Sequence, residues 1–206
     1  MFLRLWAKTL PVGCNKANPK LIIKMDRTIA ADLYRYEGLT GFKGLLRALI
    51  TPGFRYMFFV RKISKTSKYS PMWLIYRLIL RRYSFKFGFQ IPHTTQIGEG
   101  FYIGHFGTLV VSPNAKIGKN CNVAHGVTIG MANRGGRRGA PTIGDKVWIG
   151  TGAVIVGKIT IGNNVLIAPN SYVNVDVPPF SLVMGNPCKI VPKDDPTDRY
   201  IEFILP

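Results

Sequence analysis

Residues 143–173 read IGDKVWIGTGAVIVGKITIGNNVLIAPNSYV, and an aliphatic residue returns there every six positions. The same period extends back to Ile91 and forward to Val177. A period of six fits neither the 3.6 residues of a helical turn nor the alternation of a half-buried strand, whereas it is typical of a parallel β-helix. The stretch therefore predicts a three-sided solenoid in which each hexapeptide forms one short side.

The residue types of the repeat agree with such a solenoid. Three hexapeptides make a coil of about 18 residues, and successive coils stack at the inter-strand spacing of about 4.8 Å. The aliphatic residues are expected to point inward, together with a second set four positions later: Phe101, Cys121, Val147, Ala153, Ile159 and Val165. Gly, Asn and Asp tolerate positive φ, so the corners are predicted at Gly and at pairs such as Lys119-Asn120, Asp145-Lys146 and Asn163-Asn164.

Two irregularities interrupt the repeat. The spacing from Ile103 to Val111 is eight residues, so two extra residues must bulge out close to His105. Extra residues beside a rigid scaffold often redirect a side chain for use in a site. Between Ile129 and Ile143 a Gly-rich, basic segment predicts an excursion loop over residues 131–141.

The rest of the chain suggests a small helical region and a tail. A chain of 206 residues with 47% hydrophobic content is expected to form one domain with a smaller appendage. We expect a helical N-terminal region over residues 1–90, the β-helix over 91–192 and a C-terminal tail over 193–206. Helical spacing and Pro and Gly signals predict helices at Thr28–Arg35, Gly41–Ile50, Phe54–Ser64 and Pro71–Phe87, with Asp26 or Thr28 as the first cap.

The basic character lies in the helical region. Residues 1–90 hold 18 Lys and Arg and 3 acids, whereas residues 91–206 hold 10 and 7. Such a surface suits nucleic acid, an anionic membrane or an acidic substrate, but no nucleic-acid-binding motif is present. The alternatives are helices that pack on one another or on a partner subunit, which we favour, and peripheral contact with an anionic membrane through residues 1–90.

Two further features bear on the compartment. Met1–Leu10 contains Arg4 and Lys8 and lacks the uninterrupted apolar core of a signal peptide, and no apolar run reaches the roughly 20 residues that span a bilayer. The three scattered cysteines have no metal-ligand spacing and are expected to be reduced thiols in a cytoplasmic protein. We therefore expect no metal and a cytoplasmic location, at most peripheral to the inner face of the membrane.

Several ordered motifs carry a resemblance to a known family. They are Ile103-Gly104-His105-Phe106-Gly107, Gly126-Val127-Thr128-Ile129-Gly130, Pro141-Thr142-Ile143-Gly144-Asp145, Trp148-Ile149-Gly150-Thr151-Gly152-Ala153 and Gly185-Asn186-Pro187-Cys188-Lys189. The chain from Gly100 to Val191 resembles the hexapeptide-repeat acyltransferases, and most closely the serine acetyltransferases. The resemblance implies a left-handed parallel β-helix, acetyl-CoA as co-substrate and active sites between neighbouring prisms of a homotrimer, which could assemble further.

The candidate base is one of three histidines. Acetyl transfer to a hydroxyl requires removal of a proton as the oxygen attacks, and imidazole is the usual base near neutral pH. The resemblance places this role on His105. His125 follows it by one coil plus the two bulged residues, so we expect it beside His105, contacting the acceptor or supporting the base. His93, in Pro92-His93-Thr94, is interpreted as structural.

Two departures from the serine enzymes affect the acceptor. In that family an acidic residue precedes the catalytic histidine, where this chain has Gly104, and a second histidine lies where this chain has Ala140. Asp32 or Glu37 of the helical region is a candidate replacement carboxylate. From these differences and the basic, aromatic N-terminal region we expect a saccharide acceptor, such as a capsule or exopolysaccharide precursor.

The alternatives are free L-serine as the acceptor, as in cysteine biosynthesis, and a solenoid scaffold without chemistry. A coenzyme A binding measurement separates the scaffold from the enzymes.

The donor is expected in a groove with backbone amides and cations. By resemblance, the corner positions Met131, Thr151 and Pro169 line this groove. Because Pro169 has no N–H, its hydrogen bond is expected to pass to Ala168. Candidates for the coenzyme phosphates are Arg134, Arg137, Arg138 and Lys189, since cations form charge-assisted hydrogen bonds with phosphate; a solvated, flexible loop is the alternative for the three arginines.

Overall fold

The computed structural model describes residues 25–206, in which a four-helix segment precedes a β-solenoid. The helices are α1 (Arg27–Tyr34), α2 (Gly41–Ala48), α3 (Pro52–Ser64) and α4 (Pro71–Phe87). The Asp26 carboxylate caps α1 by accepting hydrogen bonds from the N–H groups of Thr28 and Ile29. Pro52 and Gly53 follow the end of α2 and form the first turn of α3, where Pro needs no N–H partner.

Fifteen strands follow the helices. They are β1 (Phe89–Gln90), β2 (Gln96–Ile97), β3 (Tyr102–Ile103), β4 (Leu109–Val111), β5 (Lys116–Ile117), β6 (Asn122–Val123), β7 (Thr128–Gly130), β8 (Thr142–Ile143), β9 (Val147–Ile149), β10 (Val154–Val156), β11 (Thr160–Ile161), β12 (Val165–Ile167), β13 (Tyr172–Val173), β14 (Ser181–Met184) and β15 (Lys189–Pro192).

The strands form three parallel sheets that enclose a prism. The first sheet is β1-β4-β7-β10-β13, the second is β2-β5-β8-β11, and the third is β3-β6-β9-β12-β14 with β15 added antiparallel at its end. The predicted left-handed parallel β-helix with a short helical N-terminal region is confirmed. The second inward-facing set that the sequence predicts is buried throughout, from Phe101 to Val165.

The register between coils shows where the repeat is interrupted. Ile143 pairs with Ile161, at the regular spacing of 18 residues, whereas Ile97 pairs with Ile117, a spacing of 20. Ile117 pairs with Ile143, a spacing of 26, because the segment between β7 and β8 leaves the prism. Asn120, Lys146 and Asn164 have φ of 55°, 53° and 52°, so the predicted corners do use the left-handed conformation.

The first coil (residues 89–108) has a free edge that the helices cover. A backbone N–H in one coil donates to a carbonyl of the next coil, as Gly118 does to Ile143. The corresponding carbonyls of the first coil have no preceding coil and therefore no such donor. Side chains supply the donors instead. The Arg61 guanidinium donates to the carbonyls of Ile97 and Gly98, each at 2.6 Å, and Arg35 donates to that of Gly100 at 2.8 Å.

A buried carboxylate completes this cover. Asp32 accepts from Arg61 Nε at 2.8 Å and from the N–H of Phe101 at 2.9 Å, and it is only 1% exposed. Burial raises the pKa of the Asp32 carboxyl, and the Arg61 guanidinium opposes that effect. The pair therefore holds α1, α3 and the first coil together.

The chain after β15 returns along the third sheet. Thr197 Oγ1 contacts Asn164 Oδ1 at 2.5 Å, Asn122 Nδ2 donates to the carbonyl of Tyr200 at 2.8 Å, and Arg35 Nε donates to that of Glu202. This tail thus connects the later coils to α1.

Residues 1–24 lie outside the described part of the chain, and the expectations about Met1–Leu10 and Cys14 fall there. Cys121 and Cys188 are free thiols, and burial raises the pKa of Cys121 to about 12. None of the helices within residues 25–206 is long and apolar enough to cross a membrane.

We expect Asp32→Ala to lower the free energy of unfolding by about 3–5 kcal/mol, because it leaves the Arg61 charge buried without its partner. Urea denaturation followed by circular dichroism measures the loss. Asp198→Ala is the matched control, since Asp198 pairs with Arg199 at the surface and its loss should cost less than about 1 kcal/mol. Equal effects of the two substitutions would contradict the covering role of Asp32.

Candidate active site

The segment that carries His105 is held from both sides. Tyr36 Oη donates to the carbonyl of Ile103 at 3.2 Å and lies 3.4 Å from its N–H, so it fixes the end of β3. The start of α3 also packs here, because a Cβ at Gly53 would lie 2.2 Å from the Ile103 carbonyl oxygen. Only Gly allows this approach at position 53.

The two extra residues of the first coil lie directly after His105. Gly107 has φ of 137°, and its N–H donates to the carbonyl of Phe87 at 2.9 Å. The bulge is therefore tied to the end of α4. His105 itself is exposed, so its ring is accessible from outside the prism.

His105 and His125 lie side by side, as their spacing predicts. Ile103 pairs with Val123 in the third sheet, and each histidine stands two residues after its strand. Their ring centroids are 5.7 Å apart with an interplanar angle of 88°, and both side chains are exposed. Two imidazoles at the surface of neighbouring coils can act on one small substrate.

Two of the donor candidates continue the same line. Val123 pairs with Ile149 and Ile149 with Ile167, which places Thr151 and Pro169 on the two coils after His125. We call the prism edge that carries His105, His125, Thr151 and Pro169 the histidine edge. It ends at the β14–β15 hairpin, where the N–H of Tyr172 donates to the carbonyl of Gly185 and Lys189 begins β15.

The length of the histidine edge is set by coil stacking. The hairpin lies four coils beyond His105, which at about 4.8 Å per coil is roughly 19 Å. An extended thioester arm can lie along such an edge with its reacting end at the histidines. Lys189 is then at the opposite end from the histidines.

The remaining donor candidates lie elsewhere on this chain. Met131 and the arginines follow β7, at the edge between the first and second sheets. The loop is folded back: Ala132 and Gly139 form an antiparallel bridge, the Arg137 carbonyl accepts from the N–H of Lys158 at 2.8 Å, and Arg137 Nη1 lies 3.3 Å from Asp176. One chain therefore does not bring the loop and the histidine edge together.

The expectation for Ala168 is not met. Its N–H donates to the carbonyl of Val183 at 2.8 Å, within the stack of coils, and so is not available to a ligand in place of Pro169. The N–H of Asn170, the residue after Pro169, donates to the carbonyl of Thr151 at 2.8 Å. The hydrogen bonds between coils occupy both N–H groups, so neither is available to a ligand.

The two candidate carboxylates, Asp32 and Glu37, differ in their exposure to solvent. The oxygens of Asp32 face Arg61 and the Phe101 N–H inside the molecule, which argues against contact with an acceptor. Glu37 is exposed, with Arg47 at 3.3 Å. Burial raises the pKa of Tyr102, and Arg35 opposes this shift while Glu37 adds to it.

The place of the missing acidic residue is crowded. A Cβ at Gly104 would lie 3.1 Å from Cε1 of Tyr102 and 3.5 Å from its hydroxyl oxygen. The Tyr102 ring also packs at 4.7 Å from that of Tyr36, and Arg35 lies 5.9 Å from its centroid. Tyr102 was missed by sequence reasoning, although it stands two residues before Gly104 in extended chain, a spacing that puts both on the same face.

Ala140 and His93 both make packing contacts. Ala140 packs against the solenoid core, and His93 stacks edge-on against Trp73 at 6.1 Å, away from His105. Burial lowers the pKa of His93, and Arg77 and Lys68 add to that shift. Within residues 25–206 there is no group of three or more His, Cys, Asp or Glu that could hold a metal ion.

Comparison with known proteins identifies the family. The model for the bacterial transferase hexapeptide (six repeats) matches residues 140–174. The chain is 37% identical to a serine acetyltransferase of Staphylococcus xylosus over 133 residues, which is 65% of this chain and 60% of that protein. It is 38% identical to that of Bacillus subtilis over 115 residues, or 56% and 53% of the two chains.

Solved structures agree. Neisseria gonorrhoeae serine acetyltransferase in complex with serine superposes with a TM-score of 0.65 at 34% identity, covering 80% of this chain and 67% of that one. The soybean serine acetyltransferase apoenzyme gives a TM-score of 0.67 at 32% identity, with coverage of 80% and 67%.

The chain belongs to the hexapeptide-repeat acyltransferase superfamily, and within it is most similar to the serine acetyltransferases. It spans between about a third and three-fifths of the length of the curated relatives that it matches.

The expected saccharide acceptor is wrong in the light of these comparisons. Relatives and structural neighbours alike are serine acetyltransferases, which favours the alternative acceptor, free L-serine. The inference from Gly104 and Ala140 assumed that losing two polar groups changes the substrate class. The Tyr102 hydroxyl beside Gly104 shows that another polar group stands close to the same place.

We expect Gly104→Asp to destabilise the protein by about 1–3 kcal/mol, because the new side chain overpacks against the Tyr102 ring. Tyr102→Ser should relieve this overpacking, so the double variant should be more stable than the sum of the two single changes implies, by about 1 kcal/mol. Thermal or urea unfolding of the four proteins in the cycle measures the coupling. Strict additivity would show that the ring and residue 104 do not compete for space.

Proposed function

We propose that the protein is an acetyl-CoA-dependent serine O-acetyltransferase, with His105 as the general base. The likeness to serine acetyltransferases in sequence and fold is the observation that carries this proposal. The exposed His105–His125 pair supports it, because the chemistry needs an accessible base beside a surface on which the thioester can lie.

In the proposed reaction the imidazole of His105 removes the proton of the serine hydroxyl as its oxygen attacks the thioester carbonyl carbon. The carbon–sulfur bond breaks, the acetyl group remains on the serine oxygen, and the coenzyme leaves as the thiolate, which takes up a proton. His125 contacts the acceptor or holds the base in place. Glu37, which is exposed whereas Asp32 is buried, is the carboxylate that we assign to the amino group of serine.

The donor is placed along the histidine edge. Thr151 and Pro169 line the thioester arm in this proposal, and Lys189 lies toward its far end. The arginine loop and Met131 stand on a different edge of the same chain, so a site that uses both must be formed by two chains. A homotrimer, in which an edge of one prism faces the loop of the next, satisfies this requirement, and we propose it for this protein.

We expect release of free thiol from acetyl-CoA to depend on L-serine and on His105. His105→Ala should lower kcat by roughly 100- to 10,000-fold, the range typical of a general base, while coenzyme A still binds by calorimetry. His93→Ala is the matched control and should retain activity, because His93 packs against Trp73.

The acceptor is tested by comparing L-serine with D-serine, L-threonine and a panel of sugars in the same assay. Turnover with a sugar but not with L-serine would overturn the proposed acceptor. Turnover that persists in His105→Ala would overturn the base. Absence of coenzyme A binding would favour a scaffold without chemistry.

We expect Arg134→Gln with Arg138→Gln to raise the KM for acetyl-CoA about tenfold or more, because charge-assisted hydrogen bonds to phosphate are lost. The KM for L-serine should not change. Arg199→Gln is the control, as its side chain is exposed in the tail. An unchanged KM for acetyl-CoA would show that the loop is a solvated excursion and not a phosphate site.

A further inference from the structure

Helix α4 buries one side and leaves an apolar side uncovered. Trp73, Leu80 and Phe87 are buried against α3 and the first coil. On the opposite side Leu74, Ile75, Leu78 and Phe85 are 53%, 48%, 59% and 79% exposed, and we call these four residues the outer face of α4. A helix on the surface of a domain ordinarily turns a polar side to water, so this exposure calls for something that covers it.

Cations border the outer face, and the helix that carries it contains no acidic residue. Arg77, Arg81, Arg82 and Lys86 lie on α4, which contains no Asp or Glu. From residue 38 to residue 98 the chain has 11 Lys and Arg and no acidic residue. Within the described residues none of the four cations of α4 forms an ion pair.

A groove beside the outer face is likewise lined by apolar side chains and cations. It has a volume of about 360 Å³ and runs between α4 and the first coil, with Ile63 and Ile91 among its apolar residues and Arg77, Arg81 and His93 among its polar ones. The neighbouring guanidiniums lie over aromatic rings, Arg77 at 5.0 Å from Trp73 and Arg81 at 5.8 Å from Phe85. Guanidinium groups next to apolar surface match a phosphate above acyl chains.

We propose that the outer face of α4 binds the surface of an anionic lipid bilayer, with the helix lying in the plane of the interface. The four apolar side chains enter the boundary between headgroups and acyl chains, and the bordering cations contact the lipid phosphates. The helix has 17 residues, about 25 Å, which suits a position along the membrane and not across it. The inference goes beyond the proposed function and does not depend on which acceptor is used.

Charge argues against a twofold contact between the outer faces of two copies of the chain. A twofold contact between two outer faces would bring identical patches together, so the cations of one α4 would face those of the other without any acid between them. An anionic bilayer neutralises the same cations. The absence of acids from residue 38 to residue 98 therefore favours lipid.

The test is co-sedimentation of the full chain with vesicles of phosphatidylcholine alone and with about 30% phosphatidylglycerol. We expect binding to the anionic vesicles only, weakening by tenfold or more from 0.1 to 0.5 M salt as screening increases. The double variant Leu78→Ser/Phe85→Ser and the triple variant Arg77→Gln/Arg81→Gln/Arg82→Gln should each reduce the partition coefficient by at least tenfold. The control Lys116→Gln/Lys193→Gln/Arg199→Gln removes the same charge from the solenoid and tail and should reduce it less than threefold.

A second measurement reports on the face directly and does not require those variants to fold. Phe85→Trp should show a blue-shifted emission with anionic vesicles, whereas Phe180→Trp, on the last coil, should show none. Equal loss in the charge control, undiminished binding by both α4 variants, or an unshifted emission spectrum of the Phe85→Trp variant would each overturn the proposal. Binding absent in every form, with a smaller assembly for Leu78→Ser/Phe85→Ser in light scattering, would instead assign the face to a second copy.

Discussion

The structure depends on satisfying the free edge of its first coil. A parallel solenoid stacks its hydrogen bonds along one axis, so the coil at the start exposes carbonyl groups that no neighbouring coil can pair. Arg61, Arg35 and Tyr36 provide donors to these carbonyls, and Asp32 accepts from the N–H of Phe101 while neutralising Arg61. The helical region thereby acts as the coil that would otherwise come before residue 89, and the unpaired strand edge is removed.

The same contacts place the candidate base. Tyr36 and Gly53 fix the end of β3, and Phe87 accepts a hydrogen bond from the bulge that follows His105. The first coil is thus the only one in the described chain that meets α1, α3 and α4 together with a bulge, and His105 lies at that junction. A rigid scaffold on one side and a cap on the other can hold an exposed imidazole in a defined direction without burying it.

Helix α4 connects the two proposals of function. Its carboxyl end contacts the His105 bulge through Gly107, and its outer face carries the apolar residues and cations that we assign to a bilayer. A protein with this arrangement would carry out acetyl transfer close to a membrane surface while keeping the donor groove on the far length of the prism. The physical basis is that a solenoid grows in one direction from its capped end, so the part of the histidine edge beyond His105 lies on later coils.

The hexapeptide period by itself determined the solenoid, its inward residues, the positive-φ corners and both interruptions, because a repeat with one residue type pointing inward constrains every coil in the same way. It also placed His105 beside His125, since register follows from counting. Only the tertiary structure decided that Asp32 is an internal partner of Arg61, that the Ala168 N–H is used by the next coil, that Tyr102 fills the space beside Gly104, and that the arginine loop stands on a different edge from the histidines. Those features depend on contacts between residues far apart in the chain, and no local period encodes which polar groups of the cap will meet which unpaired groups of the coil.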